Sequence, residues 1–358
     1  MRKTRLIIGL AIAFFGIYLL TRDEPLYHTQ SYVFGTLVDI SIYDENEERA
    51  RTLTNQILQN FQSLHNRLHA WKPISAGNPS EIGQLNKTFE HGRMLTNMSP
   101  DVVAIIADAK ALSVKSNGLF NPAIGQLIGL WGFQRDEFSP VRVNSLSIKK
   151  LVKSNPRMSD IIIEHQSVYS KNPAVKLDLG GYAKGYALDV AYQFLRKEHV
   201  NNALINIGGN IIAIGKHGSK PWRVGIQHPR SPAAIATIDL PDGWAVGTSG
   251  DYQRYFMLDG KRYCHIIDPR TGYPAQHTQS VTVLVPPQPA NQSQAGVLSD
   301  VASKPIFIEL PQNRTKVAQA FGISNFMVID DNANIFVSKS MVKKLNWLNP
   351  DVKFTTLP

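Results

Sequence analysis

The sequence predicts an α+β fold in which mixed, largely antiparallel sheets carry packed helices. Three observations predict it. Strand patterns follow one another through short connections, as in Ala203–Gly215, Pro221–Ile226 and Ala234–Leu240, instead of alternating one by one with helices. Apolar residues recur at helical spacing over long stretches, such as Ala50, Leu53, Ile57, Phe61, Leu64 and Leu68. A chain of 358 residues that is 43% hydrophobic and 18% charged can bury a full core, and neither an internal repeat nor a flexible linker divides it.

The elements are expected in the following order. Met1-Arg2-Lys3-Thr4-Arg5, the apolar run Leu6–Leu20 and the polar Thr21-Arg22-Asp23-Glu24-Pro25 have the form of an export signal. At about 1.5 Å per residue the run is shorter than a ~30 Å hydrocarbon core. No Ala-x-Ala precedes the polar turn, and no cysteine there can take a lipid. Residues 1–25 are therefore expected as an uncleaved or inefficiently cleaved anchor, with the rest on the periplasmic side of the inner membrane. A single domain is expected over 26–340. It opens with a strand over Ser31–Tyr43, with Gly35 as a bulge or close-approach point, and a helix over Glu47–Arg67. A loop over Trp71–Glu81 and a helix over Ser99–Ser116 stopped by Asn117-Gly118 come next. The stretch 134–159 is polar and expected at the periphery. Ile161-Ile162-Ile163 and Val168 lead as a short strand pair towards a helix over Tyr182–Glu198, and a closing helix and strand fall within Val317–Phe336. Residues 341–358 are expected as a peripheral basic tail.

The net charge of +10 and pI near 9.5 favour phosphates, anionic lipid or an acidic partner. The basic residues are scattered, with no Arg/Lys run among aromatics, which argues against nucleic acid. Cys264 is the only cysteine, so an internal disulfide and a multi-cysteine metal site are excluded.

The chemistry concentrates in four stretches. In Asp178-Leu179-Gly180-Gly181-Tyr182-Ala183-Lys184-Gly185-Tyr186-Ala187, glycines that permit positive φ and close approach lead into a helix whose N-terminus favours an anion. Lys184 adds a cation, and Asp178 can hold a ribose hydroxyl, a metal-bound water or a backbone amide. The spacing matches neither GxxxxGK[ST] nor GxGxxG. Asn206-Ile207-Gly208-Gly209-Asn210 interrupts a strand. In Thr248-Ser249-Gly250-Asp251-Tyr252, two hydroxyls beside a glycine can meet a phosphate. His265-Ile266-Ile267-Asp268-Pro269-Arg270-Thr271-Gly272-Tyr273-Pro274 places a histidine, a candidate proton acceptor, at the entry to a turn. Trp71, an aromatic beside a polar loop, can cover a planar ligand or plug the core.

Together, and in this order ahead of Ser280-Val281-Thr282-Val283, these stretches closely resemble the ApbE family of FAD:protein FMN transferases, from about Ser31 to Asp330. The resemblance implies Mg2+-dependent phosphoryl transfer in the periplasm: FAD is split, FMN is joined through its phosphate to a Thr or Ser hydroxyl of a target protein, and AMP leaves. It implies Ala183 as a carbonyl ligand of the metal, and Lys184 with the Gly180-Gly181 turn at the diphosphate. His265 is the implied base. Phe34, Trp71, Leu119, Phe120, Asn121 and Ile267 fall at positions resembling flavin and adenine contacts; Asp178, Thr248 and Ser249 complete the expected binding set. Asn121 stands where the family usually has Asp. The family's Ala-Asp-Ala-Leu-Ser-Thr, whose Asp and Thr bind the metal, is read here onto Ala295-Gly296-Val297-Leu298-Ser299-Asp300. This puts Gly296 at the Asp position and leaves Asp300 to bring the carboxylate from the next turn, with Ser299 or water to fill in. The expected acceptor is an exported or membrane electron-transport subunit. FAD hydrolysis to FMN and AMP, and a catalytically degenerate FAD-binding accessory protein, are the alternatives.

Overall fold

The computed structural model describes residues 26–71, 79–135, 137–290 and 294–357. The expected anchor, residues 1–25, lies outside them. No helix among the described residues is long and apolar enough to cross a membrane.

Strands β1 (Leu26–Val33) and β2 (Thr36–Tyr43) form a hairpin turned by Phe34 and Gly35 at φ 56° and 71°. The bulged single strand expected here is corrected to two strands, because two successive residues with positive φ make a tight turn that reverses the chain. Helix α1 (Glu47–Leu68) starts on Asn46, whose side chain accepts from the N–H groups of Glu48 and Arg49. α2 (Glu81–Glu90), α3 (Pro100–Lys115), α4 (Gly125–Leu130) and α5 (Ser145–Ser154) follow. α5 falls within the stretch read only as polar and peripheral, because a helix that buries Ile148 alone leaves little apolar period to read. β3 (Ile161–Glu164) and β4 (Ser167–Ser170) pair with each other.

Helix α6 (Ala183–Lys197) precedes the hairpin of β5 (Ala203–Ile207) and β6 (Asn210–Ile214). Then come β7 (Trp222–Gln227), β8 (Ala234–Leu240), β9 (Ala245–Gly250), β10 (Tyr255–Leu258), β11 (Lys261–Cys264) and β12 (Thr278–Val285). Helices α7 (Ala295–Ile308) and α8 (Arg314–Ala320), strands β13 (Asn325–Asp330) and β14 (Ile335–Ser338), helix α9 (Lys339–Val342) and strands β15 (Leu345–Trp347) and β16 (Thr355–Leu357) complete the chain.

Nine strands make the main sheet in the order β1-β2-β5-β6-β9-β12-β13-β14-β16, antiparallel throughout except for the last pair. The α+β expectation holds. Helices cover one face, where Ile40, Ile205, Val281, Val283 and Val328 meet Ala187, Leu188, Val301 and Phe307. The small sheet β15-β8-β7 covers part of the other, where Leu284 and Met327 join Ile238 and Leu345. Strands closed in on both faces lose their polar alternation, and β6 and β12 are buried along their whole length. The stretch after Lys339 is not peripheral: β16 extends the main sheet, β15 pairs with β8, and Met341 is fully buried. Short strands docked on an edge give too weak a sequence period to be read.

Candidate active site

The glycine turn before α6 is built by Asp178. One carboxylate oxygen accepts the Gly180 N–H at 2.8 Å and the other the indole N–H of Trp71 at 2.7 Å. Of the three partners open to Asp178, the turn uses a backbone amide. The Trp71 ring also lies under the Lys176 ammonium, 4.4 Å from its centroid, and the backbone at Gly129 leaves room for it. Phe120 packs towards Gly181, because Asp178 N–H donates to the Pro122 carbonyl and holds the two segments together. Gly180, Gly181 and Gly185 are not among the positive-φ residues, which corrects the expected backbone freedom. What they supply is room: a Cβ on Gly181 would stand 2.9 Å from Cε of Lys304, and one on Gly185 2.5 Å from the Gly296 carbonyl.

That closeness brings the N-termini of α6 and α7 together, and each helix caps the other. Neither first turn has a side-chain cap of its own. Asp300 of α7 accepts the Gly185 N–H at 3.0 Å, and Asp189 of α6 accepts the Gly296 and Val297 N–H groups at 2.7 and 2.8 Å. Every residue of α7 is buried except Lys304, which is partly buried. Its ammonium lies 2.5 Å from Asp300 Oδ1 and 2.6 Å from the Asp300 carbonyl. Lys184 comes within 3.8 Å of the same Oδ1. Burial pushes the Asp300 carboxyl up, but the Lys184 and Lys304 ammonium groups and the Gly185 amide outweigh it and hold it below its usual value. Burial draws Lys304 down, with Asp300 only partly restoring it.

His265 follows β11. Burial first, then the cations Arg254, Lys184 and Lys304, push its pKa down to about 3. Its Nδ1 lies 3.3 Å from the Arg254 carbonyl, which can only accept, so Nδ1 carries the hydrogen and Nε2 keeps a free lone pair. The ring is a neutral imidazole under the influence of the two lysines, the form a proton acceptor requires.

Other expected residues are placed differently. Phe34 is at the β1–β2 turn, packed 5.9 Å from Phe61 and 5.7 Å from His65. Leu119 is buried in the main core, and Ile267 belongs to a satellite core with Leu127 and Trp131. Asn121 is tied into its own loop, donating to the Pro156 carbonyl and accepting from the Ala123 N–H. Ser249 bonds Ser303 inside the β9–α7 interface. Ser299, the expected fill-in ligand, donates to Gly296 O within its own helix. Thr248 is the clearest correction, because alternation along β9 turns it to the opposite face, against Thr282 at 2.9 Å and a separate cavity of about 380 Å3 beside Gly225 and Tyr252. Lys304 and Asp189 were missed. Lys304 stands four residues from Asp300, a helical spacing that would have flagged it.

The sequence matches the ApbE family over residues 34–327. The chain belongs to the ApbE family. It is 34% identical to an FAD:protein FMN transferase of Rhodobacter capsulatus over 92% of this chain, and spans 60% of that relative's length. A FAD:protein FMN transferase of Klebsiella pneumoniae is 32% identical over 73% of this chain and 78% of its own. The ApbE protein of Thermotoga maritima has the same fold, with a TM-score of 0.77 at 30% identity over 89% of this chain and 99% of that one.

Within this ApbE-family fold the metal motif is read one turn too early. A side chain at 296 has no room, since its Cβ would meet the Gly185 carbonyl at 2.5 Å and Asp189 Oδ1 at 2.6 Å. The carboxylate at the centre is Asp300, so the motif falls on Ser299-Asp300-Val301-Ala302-Ser303-Lys304, with Lys304 in the place of Thr. The donor set does not fit a divalent cation. Oδ1 of Asp300 is held by ammonium groups and Oδ2 by an amide. Among the described residues no three His, Cys, Asp or Glu side chains gather to hold a metal.

Proposed function

We propose that the protein is an FAD:protein FMN transferase, which splits the FAD diphosphate and attaches FMN to a Thr or Ser hydroxyl of a target protein. The observation that carries this reading is the meeting of two lysines from different helices, Lys184 and Lys304, on Asp300 at the start of α6, with a neutral His265 in the same chain as the base. Cations suit a diphosphate, and a lone pair suits the incoming hydroxyl. In the transfer a bond forms between the hydroxyl oxygen and the FMN phosphorus. The bond from that phosphorus to the bridging oxygen breaks, AMP leaves with the electron pair, and the hydroxyl proton goes to His265 Nε2. The diphosphate offsets the charges of Lys184 and Lys304, the lesser causes after burial and Arg254, and so eases part of what holds His265 down. Mg2+ is left out of this reading because Asp300 is held by ammonium groups.

The family relatives of this name support the reading. Its acceptor is an exported or membrane electron-transport subunit, and its place the periplasmic side of the inner membrane. The basic-apolar-polar order of residues 1–25 supports the location. The test is AMP release from FAD, together with covalent flavin on a co-expressed Thr-containing acceptor, for wild type and His265→Gln. Acceptor-dependent release that drops by about 100-fold or more in the variant is expected. Acceptor-independent release of free FMN would make the protein a hydrolase, and tight FAD binding with no AMP at all an accessory binder.

A further inference from the structure

We propose that the Lys304 ammonium replaces the divalent cation at this centre, so that the protein binds the diphosphate of its dinucleotide without a metal. The proposal rests on the flavin reading above and deepens it. Three features make Lys304 part of a built site. It is the one residue of α7 that is not buried, and its stem runs over Gly181, where a Cβ would stand 2.9 Å from Cε. Its ammonium bonds both the side chain and the carbonyl of Asp300, a carboxylate only 1% exposed. Lys184 approaches the same carboxylate from α6. A buried carboxylate needs compensating charge, and here the chain supplies it in full. Asp300 with its two lysines carries a net charge of about +1, an anion site with no further cation. A divalent ion entering at Asp300 Oδ1 meets an ammonium group already there, and like charges at that separation repel strongly in a buried site.

The consequence is read by metal uptake and by FAD affinity, both independent of turnover. Full-length protein is stripped with EDTA and titrated with Mn2+, the free ion being followed by electron paramagnetic resonance. FAD affinity is measured by flavin fluorescence in EDTA and again in excess Mg2+. Wild type is expected to take up no Mn2+ and to bind FAD equally in both buffers. Lys304→Thr is expected to gain one Mn2+ per chain, to lose about 10- to 100-fold in FAD affinity in EDTA, and to recover with Mg2+. Lys304→Met, which keeps the stem over Gly181 without the charge, is expected to show the same loss in EDTA even where the Thr variant folds poorly. Wild type binding one Mn2+, or an FAD affinity about 5- to 150-fold higher with Mg2+, overturns the proposal and leaves the transferase reading standing. Wild type binding FAD in neither buffer overturns both.

Discussion

His265 enters the fold as a neutral imidazole, because burial and the Arg254, Lys184 and Lys304 cations push its pKa down to about 3 from 6.5. Between those values the unfolded chain takes a proton that the native protein refuses. The stability this residue contributes is therefore whole above about pH 6.5 and lost as pH falls towards 3. Asp189 works the other way, since burial pushes its carboxyl up to about 7 from 3.8 against the pull of two amides. Its contribution is full below about pH 4 and is lost as pH rises through 7. The two are separated by comparing urea unfolding of wild type and His265→Gln at pH 7 and pH 5. On acidification wild type is expected to lose about 2 kcal/mol more than the variant. Equal losses would show that His265 carries no depressed pKa.

At the scale of elements, the unit is the α6–α7 pair. Neither helix caps its own first turn, so each depends on a carboxylate from the other, and the two positions that let them touch are Gly185 and Gly296. Asp189→Ala is expected to cost about 1–3 kcal/mol for each of the two amides it orphans, read from urea unfolding. A cost within about 0.5 kcal/mol, the range of an ordinary surface change, would show the cap to be dispensable. Gly296→Asp distinguishes the two registers of the metal motif. As a restored ligand it would bind Mn2+; in this packing it is expected to bind none and to destabilise by about 1–3 kcal/mol or more through overpacking. The same packing accounts for Ser249, whose hydroxyl bonds Ser303 across the β9–α7 interface, while the Ser299 hydroxyl is taken by the Gly296 carbonyl of its own helix.

Over the whole molecule, a nine-stranded sheet covered by helices on one face and by a three-stranded sheet on the other puts the candidate site on the helical side. The last residues hold this arrangement at its far edge, where β16 joins the main sheet and β15 closes the small one. Met341→Ala, at a fully buried position in the core shared with Ile238 and Leu345, is expected to cost about 2–5 kcal/mol in urea unfolding. A cost below about 0.5 kcal/mol would return the stretch to the periphery where the sequence reading had it.

Local chemistry was legible in the chain alone. The apolar period from Ala50 to Leu68, the alternation in β7 and the Gly208-Gly209 break each act within a few residues, so α1, α6, the β5–β6 hairpin and the α+β class follow from sequence. The candidate centre was legible as a set of residue types: Asp178, Gly180-Gly181, Lys184 and His265 were all singled out. Their arrangement was not. The metal-motif register turned on whether position 296 has room for a side chain, which depends on Gly185 and Asp189 more than a hundred residues earlier in the chain. Thr248 and Ser249 are neighbours in sequence, yet they face opposite sides because β9 is a strand between two covered faces. Lys304 meets Asp300 and Lys184 only once α7 is buried on every other side. Sequence carries short-range propensity and residue chemistry; steric room and charge convergence arise from segments that meet only in the folded chain.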